Sequence, residues 1–97
     1  MVAWIVERYL PEATREDVDA AATRLAAVTV ALSARGVAIR YLGSTFVAAE
    51  EYCVCRFEGE SADDVRRACE LAGVSYARIV QAQELPPTPL VTEGRNE

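Results

Sequence analysis

Two stretches with helical spacing organise this chain, each opened by a hydroxyl side chain with an acid three residues on and closed by a glycine. In the first, Thr14 pairs with Asp17, and Arg15-Glu16-Asp17 puts acid into the opening turn, where the helix dipole favours it. Val18, Ala21, Ala22, Leu25, Val28, Thr29 and Leu32 then recur on one face for about five turns, until Arg35-Gly36 ends the pattern. In the second, Ser61 and Asp64 precede a stripe of Val65, Ala68, Cys69 and Ala72 that stops at Gly73. What remains reads as strands. Residues 2–10 are rich in β-branched and aromatic side chains and are stopped by Pro11. Residues 37–47 form a second strand, with a bend or bulge expected at Gly43-Ser44-Thr45. After the short connection Ala48-Ala49-Glu50, residues 51–58 form a third strand, and the brevity of that link argues for a hairpin. Residues 76–85 form the fourth.

The order β-α-β-β-α-β implies a ferredoxin-like α+β sandwich, a four-stranded antiparallel sheet with both helices on one face. One domain over residues 1–85 accounts for the patterned part. Residues 86–97, beginning Pro86-Pro87-Thr88-Pro89, are polar and without periodicity and read as an exposed arm. At 97 residues, with 52% hydrophobic side chains and a net charge of −5, the chain suits one small cored domain rather than a disordered segment. No apolar run approaches the ~20 residues of a membrane span, and the start lacks the basic and small-residue features of a secretory signal. The acidic balance, with no lysine patch, argues against nucleic acid and anionic membranes as partners. Three cysteines in a chain without an export signal point to reduced thiols in a cytoplasm. The absence of histidine removes Ser-His-Asp and Cys-His catalysis and any imidazole-ligated metal.

Alternation assigns strand residues to faces. The odd positions Val37, Ile39, Tyr41, Cys53, Cys55, Phe57, Ala77 and Ile79 are mainly apolar and belong under the helices. The first strand is ambiguous, and extending the same parity to it buries Ala3, Ile5, Glu7 and Tyr9. The open face then gathers Arg8, Arg40, Arg56 and Arg78, one from each strand, with Trp4, Tyr52 and Tyr76 among them. Val6, Val54 and Val80 would add an apolar patch, and large patches mark interfaces. A homodimer formed through this face would cover it. Arginines and rings in such a seam suit a small anionic or planar aromatic ligand. The plainer alternative is cross-strand neutralisation of the arginines by Glu58, Glu84 or Glu7.

Other chemistry is thin. Cys53-Val54-Cys55, with Cys69 above them, offers three thiols where a closed zinc site wants four ligands, and free cysteines usually pack as small hydrophobes. Glu7 is the one acid embedded in an apolar strand, either ion-paired to an arginine or raised in pKa as a base. No phosphate loop or dinucleotide fingerprint is present. No catalytic set, cofactor site or metal site is read from these residues.

The segments Val6-Glu7-Arg8-Tyr9-Leu10-Pro11, Arg40-Tyr41-Leu42-Gly43-Ser44-Thr45-Phe46-Val47, Glu51-Tyr52-Cys53-Val54-Cys55-Arg56-Phe57-Glu58 and Arg78-Ile79-Val80 resemble a family of small bacterial proteins of unknown function. Its best-known relatives are actinobacterial nickel-binding proteins. The resemblance spans residues 2–85 and implies a ferredoxin-like fold and a dimer. It also implies histidine-ligated nickel, but this chain has no histidine to receive a ligand role, and Tyr9 stands where some relatives carry one. An oxygen-only set from Glu7 and Tyr9 would hold nickel(II) weakly. The expected function is therefore a homodimeric, metal-free binding module. Two other readings stand beside it. One is a dimeric α/β-barrel-type enzyme, a cofactor-independent oxygenase or cyclase, with an arginine stabilising an enolate and Glu7 or Tyr9 moving the proton. The other is a purely structural interaction protein whose tail docks a partner.

Overall fold

A computed structural model describes residues 1–88. Its elements run β1 (Val2–Tyr9), α1 (Arg15–Ala34), β2 (Ile39–Val47), a 3-10 turn (Ala48–Glu50), β3 (Tyr52–Gly59), α2 (Ala62–Leu71) and β4 (Arg78–Ala82). The strands form one antiparallel sheet in the order β2-β3-β1-β4. This is the ferredoxin-like α+β arrangement. Residues 83–88 carry no regular structure, and the rest of the tail lies outside the described residues. Among the described residues no helix is long and apolar enough to cross a membrane.

Both helix starts follow their sequence signals. The Thr14 hydroxyl accepts from the Asp17 amide while the Asp17 carboxylate accepts from the Thr14 amide, which completes a capping box. The Ser61 hydroxyl accepts from the Asp64 amide. Both helices end alike. The amides of Gly36 and Val37 reach back to Ser33 and Leu32, and those of Gly73 and Val74 to Glu70 and Cys69. These are Schellman closures, with φ +93° at Gly36 and +67° at Gly73. Closing α1 occupies the Val37 amide, so β2 begins at Ile39 rather than at 37.

The core lies between the helices and one side of the sheet. Val18, Ala21, Leu25 and Leu32 of α1 and Val65, Ala68 and Cys69 of α2 are buried there with Ile39, Cys53, Cys55 and Phe57. The two helical stripes and the parity of β3 thus appear as read. The parity of β1 is reversed. Trp4 pairs with Phe57, Val6 with Cys55 and Arg8 with Cys53, and directly opposed residues share a face. Trp4, Val6 and Arg8 therefore lie beneath the helices, while Ala3, Ile5, Glu7 and Tyr9 occupy the open face. A β-bulge between Tyr41 and Gly43 shifts β2 as well. Tyr41 remains on the core side, where its ring lies 5.4 Å from that of Phe57. Beyond the bulge, Gly43, Thr45 and Val47 oppose Arg56, Val54 and Tyr52 on the open side. β4 is shorter than the sequence implies because its partner runs out: Ala82 already pairs with Ala3.

Candidate functional site

The open face is built on β3 and β1, the two interior strands. Tyr52, Val54, Arg56 and Glu58 come from β3, and Ile5, Glu7 and Tyr9 from β1. Arg78 and Val80 flank them on β4, and Arg40 and Thr45 on β2. Among the described residues no helix covers this side.

Of the eight residues read as a site, Arg40, Arg56, Arg78, Tyr52 and Glu7 meet on this surface. Trp4, Arg8 and Tyr76 do not. Trp4 packs against the core from the other side, and its indole N–H donates to the Gly59 carbonyl at 3.1 Å. Arg8 is buried, and its Nε donates to the Ser75 carbonyl at 2.6 Å. Tyr76 precedes β4 and packs on the core; burial, and secondarily the charge of Glu70 on α2, raise its phenol above the usual tyrosine value. Glu7 reaches the face by the reversal of β1 instead of needing a partner in the core. The same reversal brings in Ile5 and Tyr9, which the parity of the other strands would put under the helices.

Electrostatics divides the three arginines. Arg40 donates to the Glu58 carboxylate at 2.9 Å. Arg78 grips both oxygens of Glu7, and the Tyr52 hydroxyl donates to that carboxylate at 3.4 Å. Hydrogen bonding from Arg78 holds Glu7 below the usual carboxylate range against the opposing effect of burial. Burial, and then the Glu7 charge, push the Tyr52 phenol up. Glu7 is thus an ion-pair partner and not a base with a raised pKa. Arg56 differs from the other two. Its Nη1 donates to the Thr45 hydroxyl at 2.9 Å, and among the described residues no carboxylate lies within salt-bridge distance of it. A Cβ at position 43 would lie 3.3 Å from Arg56 Nη2, so the bulge glycine leaves the guanidinium a seat over the β2 backbone.

The thiols lie on the opposite side of the sheet. Cys53, Cys55 and Cys69 are free and buried. Burial pushes Cys53 up to about 11, with help from neighbouring Cys55, and Cys69 up to about 12. The Ser44 hydroxyl donates to Cys55 Sγ at 3.1 Å and is also bonded to the Tyr41 hydroxyl. Among the described residues, no three Cys, Asp or Glu side chains are grouped so as to hold a metal ion.

Comparison with known proteins accords with this architecture. The crystal structure of SCO4226 from Streptomyces coelicolor A3(2) superposes with a TM-score of 0.68 at 20% sequence identity, over 90% of this chain and 99% of that one. Similarity at that identity speaks for the fold alone. A search of curated proteins finds no match. A family model described as "Nickel responsive protein SCO4226-like" matches residues 4–81, which include every strand pairing partner from Trp4 to Gln81 and both helices. The chain belongs to the SCO4226-like family.

Proposed function

We propose that this chain is a homodimeric binding module that pairs through its open sheet face and receives a small anionic ligand at Arg56. The observation that carries this reading is the composition of the uncovered face. Ile5, Val54 and Val80 form a half-buried apolar centre, and beside them sits a guanidinium that, among the described residues, has a hydroxyl but no carboxylate for company. Apolar side chains in the middle of an uncovered sheet favour association, whereas the ion pairs at its margins supply registry more than affinity. A carboxylate or phosphate oxygen on Arg56 would gain a charge-assisted hydrogen bond in a setting that a second sheet would dry.

Nickel does not fit the donors. The three thiols are buried, burial raises those of Cys53 and Cys69 well above neutral pH, Glu7 and Glu58 are committed to Arg78 and Arg40, and the chain has no imidazole. Membership in a nickel-responsive family therefore describes the scaffold, and the reading here is of a member without the metal. No acid–base pair on the face supports an enzyme, because its one carboxylate of altered pKa is held ionised by an arginine.

Sedimentation equilibrium on the full chain and on Val54→Asp tests the pairing. The wild-type chain is expected to be a dimer and the variant a folded monomer by circular dichroism. A wild-type monomer at every accessible concentration, or a Val54→Asp dimer as tight as wild type, would sink the proposal.

A further inference from the structure

Helix α1 is as uncharged on its outer face as on its inner one. From Leu25 to Ala34 it carries no charged residue, and Ala26, Ala27, Val30, Ala31 and Ala34 are exposed, Val30 by 70%. A surface helix ordinarily turns charged side chains to water, and one that is apolar all round is ordinarily covered on both sides. Among the described residues nothing covers this one. Beside it runs a groove of about 300 Å³, lined by Ala26, Val30 and Ser33 of α1 and by Ile39, Arg40 and Tyr41 of the edge strand β2.

Charge says what kind of molecule fits there. None of the chain's 15 acids lies between Asp19 and Glu50, so α1 from Ala20 onward and the whole of β2 carry only arginines, in a protein of net charge −5. At the borders of that region Asp19 is paired with Arg15, and Arg40 with Glu58. Arg24 and Arg35 are exposed, and among the described residues neither has a carboxylate within 4 Å. The Arg24 Nε donates to the Ala72 carbonyl just past α2 at 2.8 Å, which places this side chain on the flank of α1 away from β2. Arg35 follows about three turns and 16 Å further along, on the same flank. The apolar strip is thus bounded by the groove on one side and by two unpaired guanidiniums on the other.

We infer that the outer face of α1, with the groove along β2, docks an acidic amphipathic helix of a partner protein. Apolar side chains of that helix cover Ala27, Val30 and Ala31 and enter the groove, and carboxylates beside them meet Arg24 and Arg35. The apolar contact supplies affinity, while the arginines select acidic partners and speed their approach. A second copy of this chain suits the face less, because two-fold pairing sets like flank against like flank and crowds the arginines of both copies together. The surface lies on the helix side of the sheet and does not depend on pairing through the open face or on Arg56.

A fluorescent synthetic helix of about three heptads, leucine along one face and glutamate beside it, serves as the probe in anisotropy titrations of the full chain. The same peptide with lysine in place of glutamate is the control. The acidic peptide should bind saturably and weaken as salt is raised, whereas the basic one should not saturate below about 1 mM. In NMR spectra of the labelled chain the shifts should gather on residues 24–41. Val30→Asp, at a site already open to water, should weaken binding roughly tenfold or more with an unchanged circular dichroism spectrum, and Arg35→Glu roughly threefold or more. The wild-type shift map decides the matter if either variant does not fold. Any of four results would overturn the inference: no saturable binding of the acidic peptide, equal binding of the basic one, shifts centred on Ile5, Val54 and Val80, or uptake of the chain by phosphatidylglycerol vesicles in the same buffer. So would self-association of the chain that Val30→Asp abolishes, which would assign the face to a second copy.

Discussion

Replacing Gly43 with alanine tests how the bulge in β2 seats the arginine of the open face. Gly43 has φ +117°, a conformation that an L side chain rarely adopts. Forcing alanine into so sparsely populated a region costs roughly 1–3 kcal/mol. A second contribution comes from space, since the new methyl would stand 3.3 Å from Arg56 Nη2. That atom ends a flexible side chain and can yield, so the backbone should account for most of the loss. For a domain of this size each kcal/mol shifts the melting temperature by roughly 4–8 °C, which places the expected drop at about 5–20 °C. Thermal and urea unfolding at one fixed protein concentration measure it. A double-mutant cycle with Arg56→Ala then apportions it, and the coupling should stay below about 0.5 kcal/mol if backbone strain dominates. A Gly43→Ala protein as stable as wild type would refute the bulge geometry. Recovery of most of the loss on removing Arg56 would show that crowding, and not φ, is the cause.

Three further outcomes are expected. Because Arg78 lowers the Glu7 pKa in the folded state, the ion pair stabilises the protein above the usual carboxylate range and is lost as pH falls through the lowered value. Melting curves from neutral pH to about 3 should therefore show Glu7→Gln less stable at neutrality and converging on wild type in acid; a pH-independent gap would contradict this. With Cys53 near 11 and Cys69 near 12, roughly one molecule in a thousand or fewer carries either thiolate at pH 8. All three thiols being buried, Ellman's reagent should label no cysteine in native buffer and all three in denaturant; rapid native labelling would show the core to be open. Nickel titration followed by desalting and elemental analysis should leave no stoichiometric metal on the protein, whereas one retained ion per chain would reverse the conclusion drawn from the donor set.

How far the sequence disclosed this molecule depended on how sharply each segment contrasted its two faces. The helices carried caps, stripes and closing glycines that all agreed, and they appear at the expected places. β3 contrasts Cys53, Cys55 and Phe57 with Tyr52, Arg56 and Glu58, so its faces were legible. β1 offers no such contrast, because each set mixes apolar residues with a charge: Trp4, Val6 and Arg8 against Ala3, Ile5, Glu7 and Tyr9. Choosing between them meant weighing a buried carboxylate against a buried guanidinium, and composition does not decide that. The pairing register decides it by setting Val6 opposite Cys55. The long stem of arginine, which can follow apolar surface while its head finds a carbonyl, was the available hint. Gly43 did signal the bulge, but not that the residues beyond it would change sides. Tyr76 was misplaced because strand periodicity was extended past the point where pairing begins, at Arg78. The division of the arginines into paired and unpaired depends on cross-strand register and was not readable from spacing alone.

The central claim, that a second copy covers the open face, is tested most directly by the solvent exposure of three groups of methyls. Paramagnetic relaxation by a neutral, soluble gadolinium chelate should spare the Ile5, Val54 and Val80 methyls at high protein concentration and reach them on dilution. Val30, 70% exposed on α1, should be relaxed throughout. If the three sheet-face residues relax at every concentration as they would on a lone sheet, nothing covers that face and the account is contradicted.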